Sequence, residues 1–90
     1  MNLDDAVVFV AVGERASFSA AAKQLGMTRV AVTRAIAKLE RVLGTRLLIR
    51  TTRRVSLTTA GREFHERIKA PIVSLSGAVR ELSNRDRPGV

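Results

Sequence analysis

The chain has 90 residues and a formal net charge of +8 at pH 7, with 46% hydrophobic and 27% charged residues. That length makes one small domain with a modest core, and the balance of apolar and charged residues argues against intrinsic disorder. There is no cysteine, which excludes a disulfide framework, a thiolate metal site and a cysteine nucleophile, and agrees with a reducing compartment.

The excess charge is unevenly placed. Residues 1–27 carry −1 and residues 58–90 carry +2, whereas residues 28–57 set Arg29, Arg34, Lys38, Arg41, Arg46, Arg50, Arg53 and Arg54 against Glu40 alone, for +7. A charge that served only solubility would be spread out. This one points to a polyanionic partner met by the middle third. The longest apolar run, Ala6 to Val12, is too short to span a bilayer. Asp4 and Asp5 stand where a signal peptide would carry Lys or Arg, so a cytoplasmic protein with no membrane partner is expected.

Asn2 can cap a first helix, with Asp4 and Asp5 beside the positive end of its dipole. Leu3, Ala6, Val7 and Val10 form its apolar stripe, widened by Phe9 and Val12. The β-branched residues from Val7 to Val12 also suit a strand, but the cap and the stripe favour helix. Ser17 caps a second helix, Phe18 to Leu25, which Gly26 stops. Thr28 caps a third, on which Val32, Ile36, Leu39 and Leu43 recur on one face until Gly44 ends it. Two helices joined by a tight glycine turn are a helix-turn-helix pattern. Leu47 to Arg50 and Val55 to Leu57 then read as two short strands around Thr51-Thr52-Arg53-Arg54, a small hairpin with a basic tip.

Thr58 caps a long last helix. Gly61, Phe64, Ile68, Pro71, Leu75, Ala78 and Leu82 alternate steps of three and four along it. The rest of the chain is too small to cover that stripe, so Phe64, Ile68, Leu75, Ala78 and Leu82 are expected at a homodimer interface. The alternative is that the stripe packs back on the core. Pro71 removes one hydrogen bond and is expected to kink or end the helix. The expected fold class is mainly α: a winged helix-turn-helix, a three-helix core plus β-hairpin wing, over residues 1–57. A linker and dimerisation helix follows over 58–84, and a hinge or tail over 85–90.

On the third helix, Arg29, Val30, Thr33, Arg34 and Ala37 lie away from the buried stripe. The major groove of duplex DNA admits a helix, arginine can bond guanine O6 and N7 together, and an apolar side chain can meet a thymine methyl. Arg29, Val30, Thr33 and Arg34 are therefore candidate readers of base edges. Arg50, Thr51, Thr52, Arg53 and Arg54 in the hairpin, with Lys38, are candidates for phosphates or a narrow minor groove. The solvated face of an ordinary amphipathic helix would carry similar residues. A protein-interaction module and an RNA or nonspecific nucleoid protein stay as alternatives. Single-strand readers stack bases on aromatic rings, and the three aromatic residues here, Phe9, Phe18 and Phe64, all fit core positions. His65 is followed by Glu66 but is the only histidine, while the helical zinc pattern needs two. No enzyme activity, metal or cofactor is expected.

Several runs together resemble the N-terminal domain of LysR-type transcriptional regulators. They are Phe18-Ser19-Ala20-Ala21-Ala22 with Leu25-Gly26, Val32-Thr33-Arg34-Ala35-Ile36, Leu39-Glu40, Leu43-Gly44, Leu47-Leu48, Arg50-Thr51-Thr52-Arg53 and Leu57-Thr58-Thr59-Ala60-Gly61. The likeness extends over about residues 2–82. It implies a bacterial winged helix-turn-helix whose linker helices pair antiparallel in a dimer on double-stranded DNA. It further implies base reading by Arg29, Val30, Thr33 and Arg34, and an Arg53 that reaches from the wing toward the minor groove. The family commonly has serine at the position of Thr33, and proline or a small polar residue near Arg29 and Val30. Those departures bear on which operator is read. Family members also carry a C-terminal domain that binds a small-molecule effector and assembles tetramers, so these residues are expected to be the DNA-binding portion of a longer regulator.

Overall fold

The computed structural model describes residues 2–52 and 54–85. Three helices, α1 (Leu3–Arg15), α2 (Phe18–Leu25) and α3 (Arg29–Leu43), precede an antiparallel hairpin of β1 (Leu48–Arg50) and β2 (Val55–Leu57), and α4 (Thr59–Arg85) closes the chain. Leu48 pairs with Leu57, Ile49 with Ser56 and Arg50 with Val55. The architecture is the expected winged helix-turn-helix with a long last helix.

Each helix begins where a short polar side chain can satisfy an orphan N–H. Asn2 Oδ1 accepts from Asp4 N at 2.9 Å, Ser17 Oγ from Ala20 N at 3.1 Å, Thr28 Oγ1 from Ala31 N at 3.1 Å and Thr58 Oγ1 from Gly61 N at 2.9 Å. Such caps contribute roughly 1 kcal/mol each. Gly26 (φ 66°) and Gly44 (φ 67°) end α2 and α3 in the left-handed conformation, which glycine enters without the clash of a Cβ. At the end of α1 an alanine, Ala16, takes it instead (φ 51°).

The core is formed by Phe9, Val12, Val32, Leu39 and Leu47, all fully buried, with Val8, Phe18, Ala21, Ala22, Ile36 and Leu48 around them. Burying each large apolar side chain of this kind contributes about 1.5–3 kcal/mol. The stripe expected on α1 is corrected. Of its members Ala6, Phe9, Val10 and Val12 are buried as expected, but Leu3 is 55% exposed and Val8, outside the stripe, is buried, because α1 is covered by α2 and α3 and by α4. A helix enclosed on several sides is apolar around most of its circumference.

The expected stripe of α4 divides in two. Phe64 and Ile68, expected at a dimer interface, are half-buried against the chain's own core, and the Phe64 ring lies 5.6 Å from that of Phe9. Ile72, outside the expected stripe, is buried with Ala6 and Val10 of α1. The first half of α4 is thus a fourth core helix. Beyond it Val73, Leu75, Val79 and Leu82 are exposed large hydrophobics, and Ala78 is exposed beside them. The helix runs on through Pro71 as one element of 27 residues, about 40 Å at 1.5 Å per residue. Pro71 is exposed, so the carbonyl that lacks its N–H donor can turn to water. Apart from Arg85, the expected tail lies outside the described residues.

Glu14 ties α1 to α4 by a 2.9 Å ion pair with Lys69. The hydrogen bond from Lys69, aided by its charge and that of His65, holds the Glu14 carboxyl below its ordinary pKa against a smaller opposing effect of burial. His65 faces inward, edge-on to Phe9 at 5.9 Å and above Gly13, where a Cβ would come within 2.6 Å of the imidazole.

Candidate nucleic-acid interface

The turn between α2 and α3 is closed by Met27 N–H donating to Ala22 O at 2.9 Å. With Val32, Ile36 and Leu39 buried on the inner side of α3, Arg29, Val30, Arg34 and Ala37 emerge on its outer side, all exposed. Thr33 is half-buried, and its hydroxyl donates to Arg29 O at 3.0 Å. That bond leaves the oxygen lone pairs free to accept. The four residues expected to read bases are thus brought to one surface at the N-terminal half of α3.

The hairpin stands beside that surface. Its tip is closed by Thr51 N–H donating to Arg54 O at 2.9 Å and Arg54 N–H donating to Thr51 Oγ1 at 3.0 Å. Between the tip and the helices lies a concavity of about 210 Å³, bordered by Ser17 and Ser19 at the start of α2, Arg29 of α3, and Arg50, Thr51, Thr52 and Arg54 of the wing. Its rim of guanidinium and hydroxyl donors suits an anion such as a phosphate oxygen. Arg53 lies outside the described residues.

Two of the cationic side chains expected to meet phosphates have partners on other elements of the chain. Lys38 Nζ lies 3.5 Å from Asp5 Oδ2, which fastens α3 to the first turn of α1. The Arg50 guanidinium sits 4.7 Å from the centroid of the Phe18 ring, a cation–π contact that holds β1 against α2. Sequence reasoning missed both partnerships, along with the role of Glu40. Its carboxylate binds the backbone of β1, and its standing as the lone acid of a basic segment was the available signal.

Among the described residues no group of three or more His, Cys, Asp or Glu could hold a metal ion, and no helix is long and apolar enough to cross a membrane.

Fold and surface together define a winged helix-turn-helix protein. The family model for the bacterial regulatory helix-turn-helix protein, lysR family, matches residues 3–62, and the chain belongs to that family. It is 44% identical over 89 residues to an HTH-type transcriptional regulator of Xanthomonas campestris pv. campestris (strain 8004), covering 96% of this chain and 26% of that protein. The structure is similar to full-length AphB in its N100E variant, with a TM-score of 0.93, 31% identity, and coverage of 99% of this chain and 31% of that one. It is also similar to the DBD of CbnR in its DNA complex, with a TM-score of 0.78, 35% identity, and coverage of 94% and 97%. The chain spans about a quarter of the length of the curated relatives it matches.

Proposed function

We propose that the chain is the sequence-specific, double-stranded DNA-binding module of a bacterial LysR-type transcriptional regulator and acts as a homodimer. The observation that carries this reading is the joining of the exposed N-terminal half of α3 to the basic wing across one concave surface. The solved DNA complex of a structural neighbour that matches nearly the whole chain supports it. In this reading α3 enters the major groove and presents Arg29, Val30, Thr33 and Arg34 to base edges. Arg50, Thr51, Thr52 and Arg54 take phosphates of the flanking backbone, with Arg53 reaching for the minor groove. Lys38 serves the phosphates only by leaving Asp5.

A second copy positions the second reading helix. The exposed Leu75, Val79 and Leu82 share one side of α4 and give it an apolar surface that a second α4 can cover, and Ala78 permits close approach beside them. Leu75→Glu, placing a charge in that surface, is expected to shift the mass measured by sedimentation toward monomer. An unchanged dimer would move the interface elsewhere.

Selection of bound fragments from random duplex DNA tests the whole reading. A defined motif of two half-sites is expected, and the absence of any motif would return the chain to nonspecific binding or to a protein partner. On the selected duplex, Arg34→Ala is expected to cost about 1–3 kcal/mol and to relax preference at one base pair per half-site. A uniform loss on every sequence would make Arg34 a phosphate contact.

A further inference from the structure

Glu40 is the only acidic residue among residues 28–57, where eight side chains are basic. A carboxylate on a surface that meets a polyanion weakens attraction, so its position calls for a local reason. It lies on α3 about one turn beyond Ala37 and two beyond Thr33, and its side chain is 16% exposed. Its Oε2 accepts from Leu47 N–H at 2.8 Å and from Leu48 N–H at 3.2 Å. Arg46, with Nε 3.6 Å from the same oxygen, donates through Nη2 to Leu48 O at 3.3 Å. Between them, Glu40 and Arg46 take both peptide groups of Leu48.

Those groups face away from β2. Thr58 N–H donates to Leu47 O at 3.0 Å and Thr51 N–H to Arg54 O at 2.9 Å, so the carbonyl of 47 and the amide of 51 point to β2, while the Leu47 N–H, one residue before β1, turns to Glu40. By the alternation of an antiparallel pair, Leu48 and Arg50 turn their peptide groups outward. A hairpin with three residues in each strand has little stability or fixed direction of its own. Glu40 closes its open edge onto the recognition helix with charge-assisted hydrogen bonds, which are stronger than neutral ones. The contact lies on a narrow cleft of about 70 Å³ whose lining includes Thr33 on one side and Arg50 on the other, between the surfaces assigned to the major groove and to the flanks.

We propose that Glu40 is a positioning residue for DNA binding. By holding the Leu47 and Leu48 N–H groups it sets the angle between α3 and the wing, so that both engage one duplex at once. This rests on the DNA-binding reading above.

The test titrates the full chain, Glu40→Ala and Glu40→Gln with two duplexes: the best selected one, and the same one trimmed to its two half-sites without flanks. The unsubstituted chain is expected to prefer the longer duplex. Glu40→Ala is expected to bind the longer duplex about tenfold more weakly, the loss set by a charged hydrogen bond, and the trimmed one within about twofold of the unsubstituted chain. Glu40→Gln, which keeps a neutral acceptor, falls between. Backbone amide hydrogen exchange without DNA supplies an independent reading: Leu47 and Leu48 are expected to exchange on the order of tenfold faster in Glu40→Ala and by a smaller factor in Glu40→Gln, with Phe9 and Leu39 unchanged. Equal losses on both duplexes would leave Glu40 a fold-stabilising residue and overturn the proposal, as would no loss on either or unchanged exchange at the two leucines. If Glu40→Ala does not fold, Glu40→Gln carries both measurements with the same criteria. An unsubstituted chain without selective duplex binding would instead remove the DNA-binding reading, and the proposal with it, even if the exchange result held.

Discussion

Gly61→Ala is expected to destabilise the domain by about 3 kcal/mol or more, the upper end for forcing extra atoms into a packed interior. Gly61 does not occupy a left-handed conformation, so the reason is contact. A Cβ there would lie 2.0 Å from Leu47 O and 2.9 Å from Leu47 C. Both are backbone atoms of a fully buried residue, and neither can rotate aside. Relief requires α4 to back away from β1. That motion would break the Thr58 N–H bond to Leu47 O (3.0 Å) and the Thr58 hydroxyl bond to Arg46 O (2.7 Å). It would also draw Phe64 and Ile68 off the core. Alanine gains roughly 1 kcal/mol of helix propensity over glycine, too little to offset these losses. Gly77, on the same helix, supplies the control: a Cβ there meets nothing within 4 Å, so Gly77→Ala is expected to stabilise by roughly 0.5–1 kcal/mol. Denaturant unfolding of both variants gives opposite signs if the close approach is real. A domain of this size loses about 4–8 °C of Tm per kcal/mol, so the Gly61 effect is also visible on heating. A Gly61→Ala variant as stable as the original would rule the contact out.

Gly61 marks the division between what was legible in the sequence and what was not. In sequence it is a residue that weakens the first turn of a helix. Its partner, Leu47, is 14 positions away, and no periodicity reports a contact with a backbone carbonyl. The local devices were legible except the left-handed stop of α1, which falls on Ala16 rather than on a glycine. Asn2, Ser17 and Thr28 cap the helices they precede, and Gly26 and Gly44 end theirs, because caps and left-handed stops act within a few residues. The wing was legible to within one residue for the same reason. That Phe64 and Ile68 pack on the chain's own core was not legible, because the stripe of α4 is continuous while its covering is not. The same repeat faces α1 near its start and is exposed further on, and only the position of α1 decides where one ends. The exposed surface of α3 followed from its buried face by subtraction. The partners of Lys38, Arg50 and Glu40 did not, since Asp5, Phe18 and the amides of β1 each lie on another element.

These partnerships determine the second large effect. Affinity of the full chain for its best duplex is expected to fall about 10³–10⁴-fold between 50 and 200 mM salt. Were every basic group of residues 28–57 to neutralise a phosphate, a dimer would release about sixteen counterions, and the slope of log K against log salt would approach about −14. The structure argues for fewer. Lys38 is paired with Asp5 and Arg46 with Glu40. In the proposed reading Arg29 and Arg34 turn to base edges. In the same reading Arg50, whose plane rests on Phe18, is joined at the phosphates by Arg54, by Arg53 as it crosses the backbone toward the minor groove, and in part by Arg41. Three to four phosphate contacts per protomer give a slope of about −5 to −7 for the dimer. Anisotropy titrations at four or five salt concentrations measure it. A slope near −14 would mean that Lys38 and Arg46 abandon their carboxylates for DNA, and one shallower than about −2 would leave the wing without phosphates. Two variants sharpen the reading. Arg54→Ala should flatten the slope by about 2 for a dimer, one contact in each half. Lys38→Ala should leave the slope unchanged, because its ammonium is already neutralised by the first turn of α1.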